Sequence, residues 1–225
     1  MRLEVALAQL VALPDPLPPS PLMFLPSLTG PAQSDGASET FLFDSPDPTI
    51  DRAAAVLVLL FAGLDGEARL ILTERQTYDG HHSGDISFPG GKVEPDDLDA
   101  AATALREARE EIGLDATTAG VRLLGRLDEV WIPVSRFRIS PVLAVASRRP
   151  ILAAAPAEVV RILEPPVTAF LPGAPVRMVE RTIRDRPLRY AAYPVTAEDG
   201  TELLVWGATA RILGQLGALL AGGQP

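Results

Sequence analysis

The sequence predicts a compact α/β sandwich, and three observations predict it. The apolar run Ala53 to Phe61 has the length and composition of a buried strand. From about Leu98 to Ile112, apolar or small residues recur with helical spacing at Leu98, Ala101, Ala102, Leu105, Ala108 and Ile112, and Gly113 supplies the stop. The remaining strand-like segments follow in mixed order, without regular strand–helix–strand alternation.

Taken from the start of the chain, Leu3 to Leu10 has the pattern of a short amphipathic turn. Proline is frequent from Pro14 to Pro31, and its fixed φ and missing N–H exclude a regular helix or a central strand there. Residues 1–45 are therefore expected to form a proline-rich N-terminal extension, wrapped on the domain or a partner subunit or left as a loose arm. The domain itself is expected over 46–225. After the Ala53–Phe61 strand, Gly63-Leu64-Asp65-Gly66 marks a hairpin turn, and Ala68 to Thr73 returns. Strands are expected at Val121 to Leu127, Ile139 to Ala146, Arg177 to Ile183, Leu188 to Tyr193 and Leu203 to Val205. A closing helix is expected from about Ala208 to Leu220. Trp206 and Phe137 read as core.

Composition bounds the function. The 225 residues carry 29 acidic and 20 basic side chains, a formal charge of −9, and no cysteine. An acidic chain lacks the basic surface that non-specific binding to a nucleic-acid polymer requires. Without cysteine there is no disulfide scaffold, thiolate zinc site or thiol nucleophile. No apolar run approaches the roughly 20 residues that span a bilayer, and Met1 to Leu13 contains Glu4 without a clear cleavage site. A cytoplasmic protein is the expectation.

The chemistry gathers on the helical segment. At 3.6 residues per turn Glu107 and Glu111 are i, i+4 neighbours, and Glu110 lies at i+3 from Glu107. The three carboxylates are expected on the side away from the apolar stripe, with Arg106 offsetting Glu110. Such oxygens suit a hard divalent cation; a solvated acidic face is the alternative. Ahead of the helix, Phe88-Pro89-Gly90-Gly91-Lys92 is a turn whose glycines let the backbone approach a ligand or offer a carbonyl to a metal.

Together, Gly91, Asp97 and Arg106-Glu107-Ala108-Arg109-Glu110-Glu111-Ile112-Gly113-Leu114 resemble the Nudix box. That pattern runs Gly, five residues, Glu, seven residues, then Arg-Glu-U-x-Glu-Glu-x-Gly-U, with U aliphatic. Asp97 stands in place of the first glutamate, and eight residues separate it from Arg106. Upstream, Leu72-Thr73-Glu74-Arg75 and Gly84 to Gly91 look like the additional motif of the coenzyme A pyrophosphatase branch, where the extra residue in the box also occurs. The chain departs from that motif at Gly80, usually arginine, and at Gln76, usually a small residue. Pro133 to Pro141 and Trp206 to Leu213 are similar to the same branch.

The resemblance implies an α/β/α sandwich with a mixed sheet, and hydrolysis of a nucleoside diphosphate linked to another group. It implies Mg²⁺ or Mn²⁺ held by Glu107, Glu110 and Glu111 with the carbonyl of Gly90 or Gly91. Glu110 is a ligand or the general base, a role open also to Glu129 or Asp128. Asp97 and Arg106 are implied as a structural pair. Arg75, His82 and Lys92 are candidates for the substrate, as are Arg136 and Arg138. The implied substrate is coenzyme A; the alternatives are another nucleoside diphosphate derivative, such as ADP-ribose or a dinucleotide, and a non-catalytic nucleotide-binding regulator. A homodimer is a further expectation. Residues Glu94 to Asp115 hold eight acids and two basic residues, so a polyanionic substrate must arrive with a cation.

Overall fold

The computed structural model describes residues 1–28, 47, 50–76, 85–133, 135–183 and 186–222. It opens with α1 (Leu3–Leu10) and a short strand, β1 (Ser27–Leu28). The apolar run forms β2 (Arg52–Ala62), and the Gly63–Gly66 turn leads back into β3 (Ala68–Leu70). Next come β4 (Leu72–Arg75), β5 (Ile86–Ser87), β6 (Gly90–Lys92), α2 (Ala100–Ile112) and α3 (Ala116–Ala119). Then follow β7 (Val121–Arg126), β8 (Val130–Ile132), β9 (Phe137–Ala146) and β10 (Val159–Leu163). The chain ends with β11 (Arg177–Ile183), β12 (Arg186–Thr196), β13 (Glu202–Val205) and α4 (Gly207–Leu220).

β2 lies within a mixed sheet of six strands. The order is β3-β2-β9-β7, with β6 also on β2 and β8 also on β9. β2 and β9 run parallel, and the other pairs are antiparallel. Alternation along β2 divides the core in two. Ala55, Leu57, Leu59 and Phe61 meet Ala104, Ala108 and Ile112 of α2. Val58 and Leu60 belong instead with Ala6 and Leu10 of α1 and Leu213 and Leu216 of α4. A strand covered by helices on both faces needs apolar residues in both phases, which is why its sequence is continuously hydrophobic. This is the expected sandwich.

One expectation changes. The returning segment from Ala68 breaks at Ile71, because its partner changes: β3 pairs with β2, while β4 pairs with β10 and β5 in a second sheet. Of the alternatives open for the proline-rich segment, packing on this chain's own domain is the one seen over residues 1–28. Phe24 is fully buried, with its ring 4.6 Å from that of Tyr193. β1 adds to the edge of β12, and the Gln215 side chain donates to the Pro18 carbonyl at 2.9 Å. The Pro18 carbonyl, outside any strand or helix, thereby gains a donor from α4. The boundary expected near residue 45 lies outside the described residues. Among the described residues, no helix is long and apolar enough to cross a membrane.

Candidate active site

α2 begins at Ala100 because Asp99 caps it, its carboxylate accepting the Ala102 N–H at 2.8 Å. Leu98, expected at the head of the apolar stripe, precedes this cap and is 95% exposed. Gly113 ends the helix at φ 65°, a conformation that glycine adopts without steric cost. The face turned to the sheet holds Thr103, Ala104, Ala108, Glu111 and Ile112.

The three carboxylates do not share one outer side, which corrects the sequence reading. With about 100° of rotation per residue, and Ala108 taken as the inward direction, Glu111 lies about 60° away, Glu107 about 100° and Glu110 about 160°. Burial follows this order: Glu111 is 1% exposed, Glu107 half-buried and Glu110 exposed. The expected stripe of Leu98, Ala101, Ala102, Leu105, Ala108 and Ile112 is rotated from the buried face, which is centred on Ala104 and Ala108.

β6 brings the backbone against this acidic edge. A Cβ on Gly91 would meet the Glu107 carboxylate where it stands, so any larger residue displaces that carboxylate. On the preceding residue, the Gly90 N–H donates to Oε2 of Glu111 at 3.1 Å, and Arg75 Nη1 reaches Oε1 of Glu111 at 3.1 Å. Burial pushes the Glu111 carboxyl up to about 7, against the opposing pull of Arg75 and the Gly90 N–H; the charges of Glu107 and Glu158 push the same way as burial. Burial also raises the Glu107 carboxyl, opposed by Arg106.

Arg106 organises the approach to the helix. Its Nε and Nη2 contact the two oxygens of Asp97 at 3.1 and 3.0 Å, and Nη2 also donates to the Lys92 carbonyl at 2.9 Å. Nη1 contacts Glu107 at 3.0 Å and Glu110 at 3.2 Å. The guanidinium holds the Asp97 carboxyl well below the usual carboxylate range. Asp97 also accepts from the Glu94 N–H and the Thr103 hydroxyl, both at 2.9 Å. The shorter side chain and the extra residue therefore still bring a carboxylate to Arg106.

Among the described residues, no three carboxylate or imidazole groups converge on a single point as they stand. Glu107 and Glu110 are held by Arg106, and Glu111 by Arg75. The donor set still fits a hard cation in kind, being all oxygen. Among the described residues Asp97, Glu107, Glu110 and Glu111 face the guanidiniums of Arg75 and Arg106, and burial penalises the charge of both Glu107 and Glu111.

The other candidates are dispersed. Lys92 is exposed at the end of β6, and His82 lies outside the described residues, as do Gly80 and His81. Glu129 accepts from the Ser140 hydroxyl at 2.8 Å and faces Arg138 at 3.7 Å. Ser140, Ala55 and Gly91 stand in register on three adjacent strands, so two strand spacings, about 10 Å, separate Ser140 from Gly91. Asp128 is bonded to Gln215 at 2.6 Å, and Arg136 contacts Asp51 at 2.7 Å. Asp128, Glu129 and Ser140 line a separate cavity of about 450 Å³ with Leu17, Arg126 and Leu127. Trp206 and Phe137, read as core, are only partly buried, and each carries an arginine over its ring.

Sequence reasoning missed Glu158. Its charge acts on both Glu107 and Glu111, and the loop before it is tied to the end of α2 by Ala153 N–H to Ile112 O and Ala155 N–H to Glu111 O bonds. A lone acid after a proline-rich stretch has no periodicity to reveal it.

This arrangement agrees with comparisons to known proteins. Residues 51–166 match the NUDIX domain. The chain is 37% identical over 178 residues to "Nudix hydrolase 15, mitochondrial" of Arabidopsis thaliana, covering 76% of this chain and 60% of that one. It is 31% identical over 169 residues to "Uncharacterized Nudix hydrolase NudL" of Photorhabdus laumondii, covering 74% and 83%. The chain spans 53% of "Nudix hydrolase 22, chloroplastic" of Arabidopsis thaliana, so it matches little more than half the length of these plant relatives. A MutT/nudix family protein from Enterococcus faecalis superposes with a TM-score of 0.50 at 16% identity, over 82% of this chain and 69% of that one, a likeness of fold alone. From the domain match and these identities, the chain belongs to the Nudix hydrolase family.

Proposed function

We propose that the chain hydrolyses the diphosphate bond of coenzyme A, with Mg²⁺ or Mn²⁺ as cofactor, to 3′,5′-ADP and 4′-phosphopantetheine. The observation that carries the hydrolytic reading is the buried Glu111 carboxylate, set between Arg75 and the Gly90 N–H beside Glu107. The coenzyme A reading is supported by the likeness of Leu72 to Arg75 and Gly84 to Gly91 to the motif of that branch. Arg75 and Gly90 are motif residues in contact with Glu111.

In this proposal Glu107, Glu110 and Glu111 hold the cation with the Gly91 carbonyl. A cation held there would supply charge neutralisation at the phosphates and a lowered pKa for the attacking water. Arg75 and Lys92 bind phosphate oxygens and His82 adds a further substrate contact, while Arg106 with Asp97 keeps the loop before α2 in place. Glu110 or Glu158 takes the proton of the attacking water. The water oxygen joins one phosphorus, the bridging P–O bond breaks, and two phosphate monoesters leave.

Incubating the protein with coenzyme A and Mg²⁺ or Mn²⁺ and resolving the products by chromatography tests this. Cleavage of ADP-ribose or a dinucleotide with coenzyme A left intact moves the chain to another specificity. Nucleotide binding without cleavage, unaffected by Glu111→Gln, identifies a regulator. The proposal includes a homodimer, for which the exposed Leu22, Met23 and Leu25 offer apolar surface; light scattering gives the mass. It also includes a cytoplasmic location, beside relatives named mitochondrial and chloroplastic, and a fluorescent fusion reads the compartment.

A further inference from the structure

Beyond the matched domain, β11, β12 and β13 carry a cluster that the proposed hydrolysis leaves unused. The Arg181 guanidinium carbon lies 4.4 Å from the centroid of the Trp206 ring, and Tyr190 stacks on that ring at 5.1 Å with planes 18° apart. Val179 pairs with Tyr190 and Arg181 with Leu188, so Arg181 and Tyr190 project from the same face of the sheet as diagonal neighbours. Arg181 also lies 3.8 Å from Asp85. The Asp85 carbonyl accepts the Arg75 N–H at 3.1 Å. Because the Arg75 side chain touches Glu111, Asp85 links the two regions: its backbone is bonded to that of Arg75 at the acidic cluster, and its carboxylate faces Arg181 on the C-terminal sheet.

Two observations set this cluster apart from ordinary packing. The Arg181 side chain is 49% exposed, and among the described residues its guanidinium makes no hydrogen bond. A guanidinium over a ring keeps N–H donors at its rim for an oxyanion. Tyr190 is 2% exposed, and its hydroxyl has no hydrogen-bond partner among the described residues. A buried hydroxyl left unmet beside a cation points to an acceptor that arrives with a ligand. Arg181 and Tyr190 already occupy the Trp206 ring, which leaves the guanidinium rim, and not a stacking face, open to a ligand.

We propose that Arg181, seated on Trp206 and Tyr190, binds a phosphate of the substrate other than the two joined by the bond cleaved. This deepens the coenzyme A reading and rests on it: the group is the phosphate on the ribose, which coenzyme A carries and dephospho-coenzyme A lacks. Arg181→Ala should raise KM for coenzyme A about tenfold, with kcat within twofold, and leave KM for dephospho-coenzyme A unchanged. Arg181→Lys should keep part of the preference. An equal change for both substrates, or none, overturns the proposal.

A binding measurement separates this failure from failure of the hydrolytic reading. In a Trp131→Phe background, 3′,5′-ADP should produce a saturable change in Trp206 emission, AMP a much weaker one, and Arg181→Ala should abolish it. The absence of any difference between the two nucleotides overturns the proposal whether or not coenzyme A is cleaved. Loss of turnover on coenzyme A with that difference intact removes only the reaction.

Discussion

Glu111 is almost without exposure, and its carboxyl sits near 7 because burial disfavours the charged form. The folded chain therefore keeps a proton that the unfolded chain releases. Its contribution to stability is present in full below the ordinary carboxylate pKa of 4.5 and is lost as pH rises through about 7. At pH 8 without a cation the loss is about 3 kcal/mol, at roughly 1.4 kcal/mol per unit. Thermal unfolding in EDTA should show the melting temperature falling over that range, and Glu111→Gln should flatten the curve. The same substitution should reduce turnover about 10²–10⁴-fold. This residue also marks a limit of the sequence. The box pattern singled out Glu111, but its burial depends on which way α2 is rotated against β2, and the exposed Leu98 misdirected that estimate.

α2 itself was legible from end to end, because its periodicity, its Gly113 stop and its charged residues all agree. Only its start shifted, from Leu98 to Ala100, since the Asp99 cap competes locally with an apolar neighbour. Gly113→Ala should cost about 1 kcal/mol, because its φ of 65° strains any residue with a Cβ. The space there is adequate, with the nearest atom 3.5 Å from an added Cβ, so backbone strain is the main effect. Urea unfolding should show a lowered midpoint with an unchanged slope. β3 and β4 were less legible. Ala68 to Thr73 is one strand-like run by composition, and the change of partner at Ile71 is set by β10, nearly 90 residues later.

At the scale of the whole molecule, residues 1–28 form part of the core. Their proline content concealed this, because proline signals irregular backbone and says nothing about burial. Phe24→Ala should destabilise the fold by about 3–5 kcal/mol, as a fully buried aromatic removed from contact with Tyr193. Calorimetry checks it. The Arg181, Trp206 and Tyr190 cluster was equally hidden, since it joins three strand regions and Asp85, which lies almost 100 residues earlier. Turnover of coenzyme A by the wild-type chain and by Glu111→Gln, each in EDTA and with Mg²⁺ or Mn²⁺ restored, bears on the whole reading. The expected result is 3′,5′-ADP and 4′-phosphopantetheine from the wild-type chain with metal only. Intact coenzyme A under every condition, or equal cleavage by Glu111→Gln, contradicts it.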